Sequence, residues 1–179
     1  MATSSSTKSD LITVAAAADL PVQDRYLVLN NISKKNNLRH LCITAAAFDL
    51  TVIFTSKSQE QDLDLDPLVA KGLLIRSYDS LAEAKLFLES HGVPLVGIEI
   101  MEEAVPLNTF PFHEYGYRIA VMPGNEGTGL NHKQKSYCDR FVYVPQYGSG
   151  TASLNVNVAT SLVLNECAVK IADHIIRCV

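Results

Sequence analysis

Two glycine-rich segments, 124–129 and 145–151, contain the residue types that could bind a ligand through bare backbone. The first and last glycines of segment 124–129 are separated as in a phosphate-binding P-loop. Leu130 and Asn131, however, stand where that loop requires Lys followed by Ser or Thr. His132 occupies the position of the third glycine of a dinucleotide-binding fingerprint. The sequence therefore supports neither of these nucleotide-binding motifs.

Other catalytic signatures are missing from the sequence. It has no G-x-S-x-G nucleophile elbow and no pair of histidines spaced to hold a metal ion. The four cysteines at positions 42, 138, 167 and 178 form no C-x-x-C pair. We therefore predict no metal site and interpret the cysteines as buried or incidental thiols in a reducing compartment.

The segments that must position the glycine loops alternate between strand-like and helix-like patterns. Short apolar runs predict strands at 26–29, 51–54, 73–76, 95–100, 118–122 and 141–144. Asn36 or Asn37 is expected to cap a first helix, and Ser80 with Glu83 forms a capping box for a second that ends near Gly92. Segments 59–66 and 105–116 are expected to be loops. A short helix is expected after residue 129, and a long final helix from about Ser153.

This alternation predicts a layered α/β domain with a mostly parallel sheet. We expect one domain over residues 21–179, preceded by a frayed Ser/Thr-rich segment at 1–20. Both glycine segments follow strands, so they lie at the carboxyl ends of strands, where α/β sheets bind ligands. Each of them alone is more often a tight turn than a site.

Composition limits the possible partners. The formal charge is −4, which argues against a protein that coats nucleic acid non-specifically, although a local basic patch remains compatible with it. The apolar runs are far shorter than the ~20 residues of a membrane-spanning helix, and the first ten residues lack the features of a secretory or transit signal. We expect no membrane association and a cytoplasmic protein, with nucleus or organelle as alternatives.

The final helix carries apolar residues on two sides. The first stripe consists of Leu154, Val158, Leu162 and Val169. The second consists of Leu164, Ala168, Ile171 and Ile175. A helix that is apolar on two sides needs two surfaces to pack against. Deep burial in the core is one explanation. We favour the other, in which one stripe faces the core and the second faces another copy in a homodimer.

The two glycine segments and their flanks together resemble a known family. The runs 121–130 (VMPGNEGTGL) and 144–159 (VPQYGSGTASLNVNVA) are similar to the second and third motifs of the SpoU (TrmH-like) branch of SPOUT RNA methyltransferases. The two motifs are ordered and separated as in the family. A weaker first motif lies at 30–50, so the resemblance extends over most of residues 25–175.

The resemblance implies a carboxyl-terminal trefoil knot, a homodimer, and transfer of methyl from S-adenosylmethionine to a ribose 2′-hydroxyl of tRNA or rRNA. It also implies where the cofactor binds. The segment 98–100 would lie at the pocket edge. The implied cofactor-binding residues are Ile98, Met122, Gly124, Asn125, Gly127, Val144, Gln146, Ser153 and Leu154. The implied catalytic residues are Asn37, Arg39, Glu126, Ser153 and Asn155.

These residue types suit the chemistry. A ribose hydroxyl is a poor nucleophile, so the site must orient it toward the methyl group and redirect its proton. Asn155 and Ser153 can supply hydrogen bonds, and Glu126 can hold a backbone segment or a basic partner. Ser153 could instead be only the N-cap of the last helix, Glu126 an exposed loop acid, and Asn155 a structural amide.

The sequence departs from the family at the first motif. The family has an Asn followed six residues later by an Arg that approaches the reacting ribose, and here Asn37 is followed by Ile43. Ile43 can neither donate a hydrogen bond nor pair with phosphate. Arg39, one helical turn earlier, could restore the guanidinium. The alternative is a catalytically impaired homologue that binds RNA or cofactor as a subunit.

Basic residues next to the first motif are candidate RNA contacts. Lys34, Lys35 and Arg39 could bind RNA phosphates, and a solvated charge cluster is the alternative.

Overall fold

A computed structural model describes residues 24–56, 60, 63–116, 118–148 and 153–178. The predicted frayed segment 1–20 and part of the second glycine segment, 149–151, lie outside the described residues. Within the described ranges, seven strands form one sheet. Their bounds are β1 Arg25–Leu29, β2 Thr51–Phe54, β3 Ile75–Ser77, β4 Leu95–Ile98, β5 Val105–Pro106, β6 Ile119–Pro123 and β7 Arg140–Tyr143.

The strands are ordered β3-β2-β1-β6-β4-β7-β5, and every recorded pairing is parallel. After β1 the chain builds outward to β2 and β3, whereas β4, β6 and β7 lie on the other side of β1. The order therefore reverses between β1 and β6, which is the kind of position where open α/β sheets form a ligand-binding crevice. Leu27 of β1 is in register with Val121 of β6 at this central pair.

Helices cover both faces of the sheet. Their bounds are α1 Lys35–Ala47, a single turn α2 Asp66–Val69, α3 Leu81–Ser90, α4 His132–Tyr137 and α5 Val156–Cys178. A 3₁₀ turn, Phe112–Tyr115, lies in the connection before β6. The predicted α/β class and mostly parallel sheet are confirmed.

Two apolar layers follow from the period-two alternation of the strands. Leu27 and Leu29 of β1 pack in a cluster with apolar residues of α1 and α5, whereas Tyr26 and Val28 pack in a second cluster with residues of α3. Because both faces are covered, the strands are apolar at nearly every position rather than at alternate ones. The sequence signal was therefore a short apolar run for each central strand.

Several strand bounds differ from the predictions. The third strand begins at Ile75 rather than Leu73, because the Leu73 amide donates to the Leu68 carbonyl of α2 and not to the sheet. The fourth ends at Ile98 rather than Ile100. The two-residue strand β5 falls within 105–116, where we expected only a loop, because it pairs at the sheet edge with β7. Ser80 caps α3 as predicted, with its hydroxyl accepting from the Glu83 amide at 3.3 Å.

The final helix buries one of its two apolar stripes. Leu164 and Ile171 lie in the core, while Val158, Leu162 and Val169 are each more than 40% exposed. Deep burial of both stripes is therefore wrong. The side chain of Ile175 and that of Cys178 are outside the described residues, and Leu154 precedes the helix.

The described thiols are sequestered. Cys42 and Cys167 are buried and Cys138 is half-buried, and all three are free. Burial raises the pKa of each of these thiols to about 12. At neutral pH they are protonated and poor nucleophiles, as expected of structural cysteines.

Candidate functional site

An open cavity of about 480 Å³ lies at the carboxyl ends of β4, β6 and β7, beside the first residues of α1 and α5. Its volume is within the range of small-molecule sites. Predicted residues that line it are Lys34, Asn37, Ile98, Gly124, Asn125, Glu126, Gly127, Val144, Gln146, Ser153, Leu154 and Asn155. The structure thus brings together residues of all three sequence motifs.

Asn125 shapes the glycine loop between β6 and α4. Its backbone pairs with that of Gly129, with N···O distances of 3.1 and 2.9 Å. Its side-chain oxygen accepts from the amides of Gly127 at 2.9 Å and Thr128 at 3.2 Å, as in an Asx turn. Its amide nitrogen donates to the Asn31 carbonyl oxygen at 2.7 Å. One side chain therefore closes the loop and attaches it to the segment after β1.

Glu126, at the tip of that loop, holds the beginning of α1. Its carboxylate accepts from the amides of Ser33 and Lys34, both at 3.1 Å, and from the side chain of Asn37 at 2.8 Å. Lys34 is the N-cap of α1, and its own side chain makes no capping hydrogen bond. In a capping box, the side chain of the third helical residue accepts from the amide of the N-cap residue. Here Glu126 accepts from that amide, the one of Lys34, instead.

The capping prediction for α1 is wrong. Neither Asn36 nor Asn37 precedes the helix, which begins at Lys35, and Asn37 instead lies inside its first turn with its side chain buried. The cap comes from Glu126, a residue remote in sequence. Of the two interpretations of Glu126, the one in which it holds backbone agrees with the contacts.

Hydrogen bonding also determines the charge state of Glu126. Burial alone would raise the pKa of this carboxyl, but the hydrogen bonds from Asn37 and from backbone amides outweigh it, so the pKa lies below its ordinary value. The carboxylate is therefore ionised at neutral pH. A negative charge at the N-terminus of α1 is also favoured by the helix dipole.

Asn155 performs the capping role that Ser153 was expected to take. The helix α5 begins at Val156, so its N-cap position is Asn155, two residues after Ser153. The Asn155 side-chain oxygen accepts from the Asn157 amide at 2.9 Å, and its carbonyl accepts from the Ala159 amide at 2.9 Å. These are the two bonds of an N-cap residue. Ser153 is exposed and remains at the cavity wall.

The two asparagines connect the helices. The Asn155 amide nitrogen donates to the Asn37 side-chain oxygen at 3.4 Å, and Asn37 donates in turn to Glu126. The beginnings of α1 and α5 and the tip of the glycine loop are thus joined by one chain of side-chain hydrogen bonds. Polar groups of known orientation line that side of the cavity as a result.

A second polar network joins α4 to the carboxyl ends of β1 and β2. Gln134 of α4 is buried and donates to the side-chain oxygen of Asn30 at 2.7 Å, while Asn30 donates to Thr55 at 2.6 Å. These bonds satisfy buried polar atoms at the ends of β1 and β2. They fix the segment that leads into α1.

Three predicted site residues do not line the cavity. Met122 is fully buried and packs in the core cluster on the α3 face of the sheet, because strand alternation turns it away from α1 and α5. Lys35 and Arg39 are exposed on α1 and are not among the lining residues. Ile43 is 40% exposed on the same helix.

Glu99 is a cavity residue to which sequence reasoning gave no role, although it lies in the segment 98–100 expected at the pocket edge. Its carboxylate accepts from the Leu130 amide at 2.5 Å and from the Ile100 amide at 3.2 Å. It packs against Gly124 and Gly129, where an added Cβ would collide with it. An acidic residue directly after an apolar strand was the available signal.

The remaining lining residues are mostly apolar, with two hydroxyls among them: Ile100, Pro123, Thr128, Gly129, Tyr143, Val156 and Ala159. In the part of the chain that the structure describes, no group of three or more His, Cys, Asp or Glu residues could hold a metal ion. None of the helices within the described ranges is long and apolar enough to cross a membrane. With glycine backbone, apolar side chains and a few polar ones in its wall, the cavity suits an organic ligand that presents hydrogen-bonding groups.

Comparison with known proteins identifies relatives of the chain. A 23S rRNA (guanosine-2'-O-)-methyltransferase RlmB of Acinetobacter baylyi is 28% identical over 148 residues, which are 78% of this chain and 57% of the relative. The Escherichia coli RlmB is 24% identical over 164 residues, 89% of this chain and 64% of the relative. The chain thus spans about three fifths of the length of these relatives.

Solved structures share the fold. The TrmH/SpoU tRNA modifying enzyme of A. aeolicus has a TM-score of 0.71 at 19% identity, and the match covers 84% of this chain and 77% of that one. The SpoU methyltransferase AviRb of Streptomyces viridochromogenes, in complex with AdoMet, has a TM-score of 0.68 at 19% identity, covering 89% and 65%. A family model described as the SpoU rRNA Methylase family matches residues 24–165. With its three motifs gathered at one cavity and most of its length matched, this chain belongs to the SpoU rRNA methylase family.

Proposed function

We propose that the chain is an S-adenosylmethionine-dependent methyltransferase that acts on the ribose 2′-hydroxyl of tRNA or rRNA. The observation that carries the proposal is the convergence of Asn37, Glu126 and Asn155 at a cavity whose floor is the bare backbone of a glycine loop. Membership of the family and the names of the RlmB relatives support the same reaction.

The residues present fit the cofactor. A side chain at Gly124 would come within 2.9 Å of the Leu130 amide and of the Glu99 carboxylate, so only glycine leaves the backbone open there. Val144 and Leu154 supply apolar contact, and Gln146 a side-chain amide. These residues would hold S-adenosylmethionine, which supplies a methyl group on a sulfonium.

The polar side chains would orient the ribose. Asn155 and Ser153 can donate hydrogen bonds to the sugar, and Glu126 keeps Asn37 and the α1 N-terminus in position. Bound S-adenosylmethionine would supply the methyl group to the oriented ribose oxygen, and the hydroxyl proton would leave to solvent at the open side of the cavity. Placement in line with the methyl is the main contribution of this chain.

Calorimetric titration of the purified chain with S-adenosylmethionine tests the cofactor assignment without knowledge of the RNA. Binding with a micromolar dissociation constant is expected. A folded chain that binds nothing at millimolar cofactor would contradict the proposal. Transfer of radiolabelled methyl to unmodified tRNA and 23S rRNA transcripts would then test the reaction itself.

A second candidate is a catalytically impaired homologue that binds RNA or cofactor as a subunit. The position that carries an arginine in the family is Ile43, and Arg39 lies outside the cavity. Arg39→Ala tests whether this arginine replaces the missing one, because its loss would then abolish transfer. Ile43→Arg tests the opposite case and would raise transfer if only the guanidinium is lacking.

RNA contact by the basic residues has its own test. Lys34 lines the cavity and Lys35 does not, so they form a matched pair of neighbours. Each lost phosphate contact lowers the slope of log affinity against log salt by about 0.7 for single strands. With a fluorescent tRNA transcript, we expect the double variant, Lys34→Ala and Lys35→Ala together, to bind more weakly and to show a flatter slope. An unchanged slope would remove both from the interface.

We also propose a homodimer, a carboxyl-terminal trefoil knot and a cytoplasmic location, with nucleus or organelle as the alternatives. The exposed apolar stripe of α5, Val158, Leu162 and Val169, supports the dimer. Light scattering coupled to size exclusion is expected to give twice the chain mass. Leu162→Glu should yield a monomer, and a wild-type monomer would contradict the proposal.

A further inference from the structure

Two carboxylates line the cavity, and their hydrogen bonds differ. A carboxylate has about four lone-pair sites. Glu126 uses three of them on Ser33, Lys34 and Asn37, all of which belong to the protein. Glu99 accepts from only the amides of Leu130 and Ile100 in the described structure. Glu99 therefore keeps more acceptor capacity for a ligand, about two sites against about one for Glu126.

The two carboxylates also hold different parts of the glycine loop. Glu99 lies against its base, where Gly124 and Gly129 leave room for the carboxylate. Glu126 and the cationic Lys34 lie together at its tip. The tip offers both charges to a zwitterionic amino-acid group, Lys34 to its carboxylate and Glu126 to its ammonium, whereas Glu99 at the base would repel the carboxylate. The amino-acid end of S-adenosylmethionine therefore belongs toward the tip, and its nucleoside toward the base.

A nucleoside presents a pair of neighbouring hydroxyls, and a carboxylate can accept from both. Acidic side chains bind ribose hydroxyls in this way in dinucleotide-binding folds. We propose that Glu99 recognises the ribose of the cofactor by accepting hydrogen bonds from its 2′ and 3′ hydroxyls. This inference rests on the proposed function, because it concerns the same cofactor.

The test compares ligands with and without these hydroxyls. Calorimetry would measure S-adenosylhomocysteine, adenosine and 2′,3′-dideoxyadenosine with the wild-type chain, Glu99→Gln, and Glu102→Gln as the control at an exposed acid that does not line the cavity. Loss of hydrogen bonds to a charged group lowers ligand affinity about ten- to hundred-fold. Glu99→Gln should lose about this factor for S-adenosylhomocysteine and adenosine, but little for dideoxyadenosine. Glu102→Gln should change none of them.

Three results would overturn the inference. An equal loss for adenosine and dideoxyadenosine would mean that Glu99 only braces the loop, and a loss confined to S-adenosylhomocysteine would mean that it binds the ammonium. If Glu99→Gln does not fold, the wild-type chain still decides, because equal affinity for adenosine and dideoxyadenosine refutes ribose recognition. Failure of the wild-type chain to bind S-adenosylhomocysteine at all would instead refute the proposed function, and with it the premise of this inference.

Discussion

Replacing Glu126 should destabilise the beginning of α1 in a way that depends on pH. Glu126→Ala removes the acceptor of three hydrogen bonds and leaves the buried Asn37 amide without its partner. Loss of a cap costs about 1 kcal/mol, and an unsatisfied buried amide about 1–3 kcal/mol. The exposed amides of Ser33 and Lys34 regain water, so we expect a total of about 2–4 kcal/mol. Glu126→Gln keeps one acceptor oxygen and should cost about 1 kcal/mol.

The pH dependence follows from the lowered pKa of Glu126. A carboxyl whose pKa is lower in the folded state stabilises the protein above its unfolded pKa of about 4.3. That contribution is lost as pH falls through the folded pKa. The difference in unfolding free energy between wild type and Glu126→Gln should therefore be full at pH 7 and decrease below about pH 4.

Urea unfolding followed by circular dichroism at several pH values measures this difference. Glu103→Gln, at an exposed acid, is the matched control and should leave stability within about 0.5 kcal/mol of wild type. The reasoning would be refuted by a Glu126→Gln variant as stable as wild type at pH 7. A difference that increases toward acid pH would refute it as well.

Three further perturbations test separate parts of the structure. Asn155→Ala should cost about 1 kcal/mol in urea unfolding because it removes the α5 cap, whereas Ser153→Ala should change stability by less than about 0.5 kcal/mol; equal costs would contradict the cap assignment. Gly129→Ala should be more destabilising than Gly116→Ala, since both glycines have positive φ, of 65° and 56°, but only a Cβ at 129 meets other atoms. Cys42 should not react with a disulfide reagent at pH 8 until the chain unfolds, because its pKa is about 12; rapid reaction in the native state would show that the thiol is accessible.

Local patterns predicted the central strands and helix α3 well, although some bounds shifted and the edge strand β5 was missed. A run such as Thr51–Phe54 is apolar and β-branched and lies in a sheet covered on both faces, so composition alone marks it. The cap of α3 was also predictable, because Ser80 and Glu83 are close in sequence. Features of this kind depend on neighbouring residues only.

The parts that could not be predicted depend on remote residues. The start of α1 is determined by Glu126, which lies 93 positions after Ser33. The prediction that Met122 binds the cofactor was wrong for a different reason. A motif match does not say which face of a strand each residue occupies. Likewise, nothing in the local sequence around Glu99 shows that Gly129 would lie against its carboxylate.

The central pair of strands, β1 and β6, also has a consequence for how the chain folds. During synthesis, β1, β2 and β3 can pair with one another early, but β1 cannot meet β6 until the chain is made through residue 123. Closing such a long loop is entropically unfavourable and makes folding slow. The same closure brings Glu126 to α1. The step that joins the two halves of the sheet is thus also the step that attaches the glycine loop to α1, so a nascent chain with an assembled first half carries no preformed cavity.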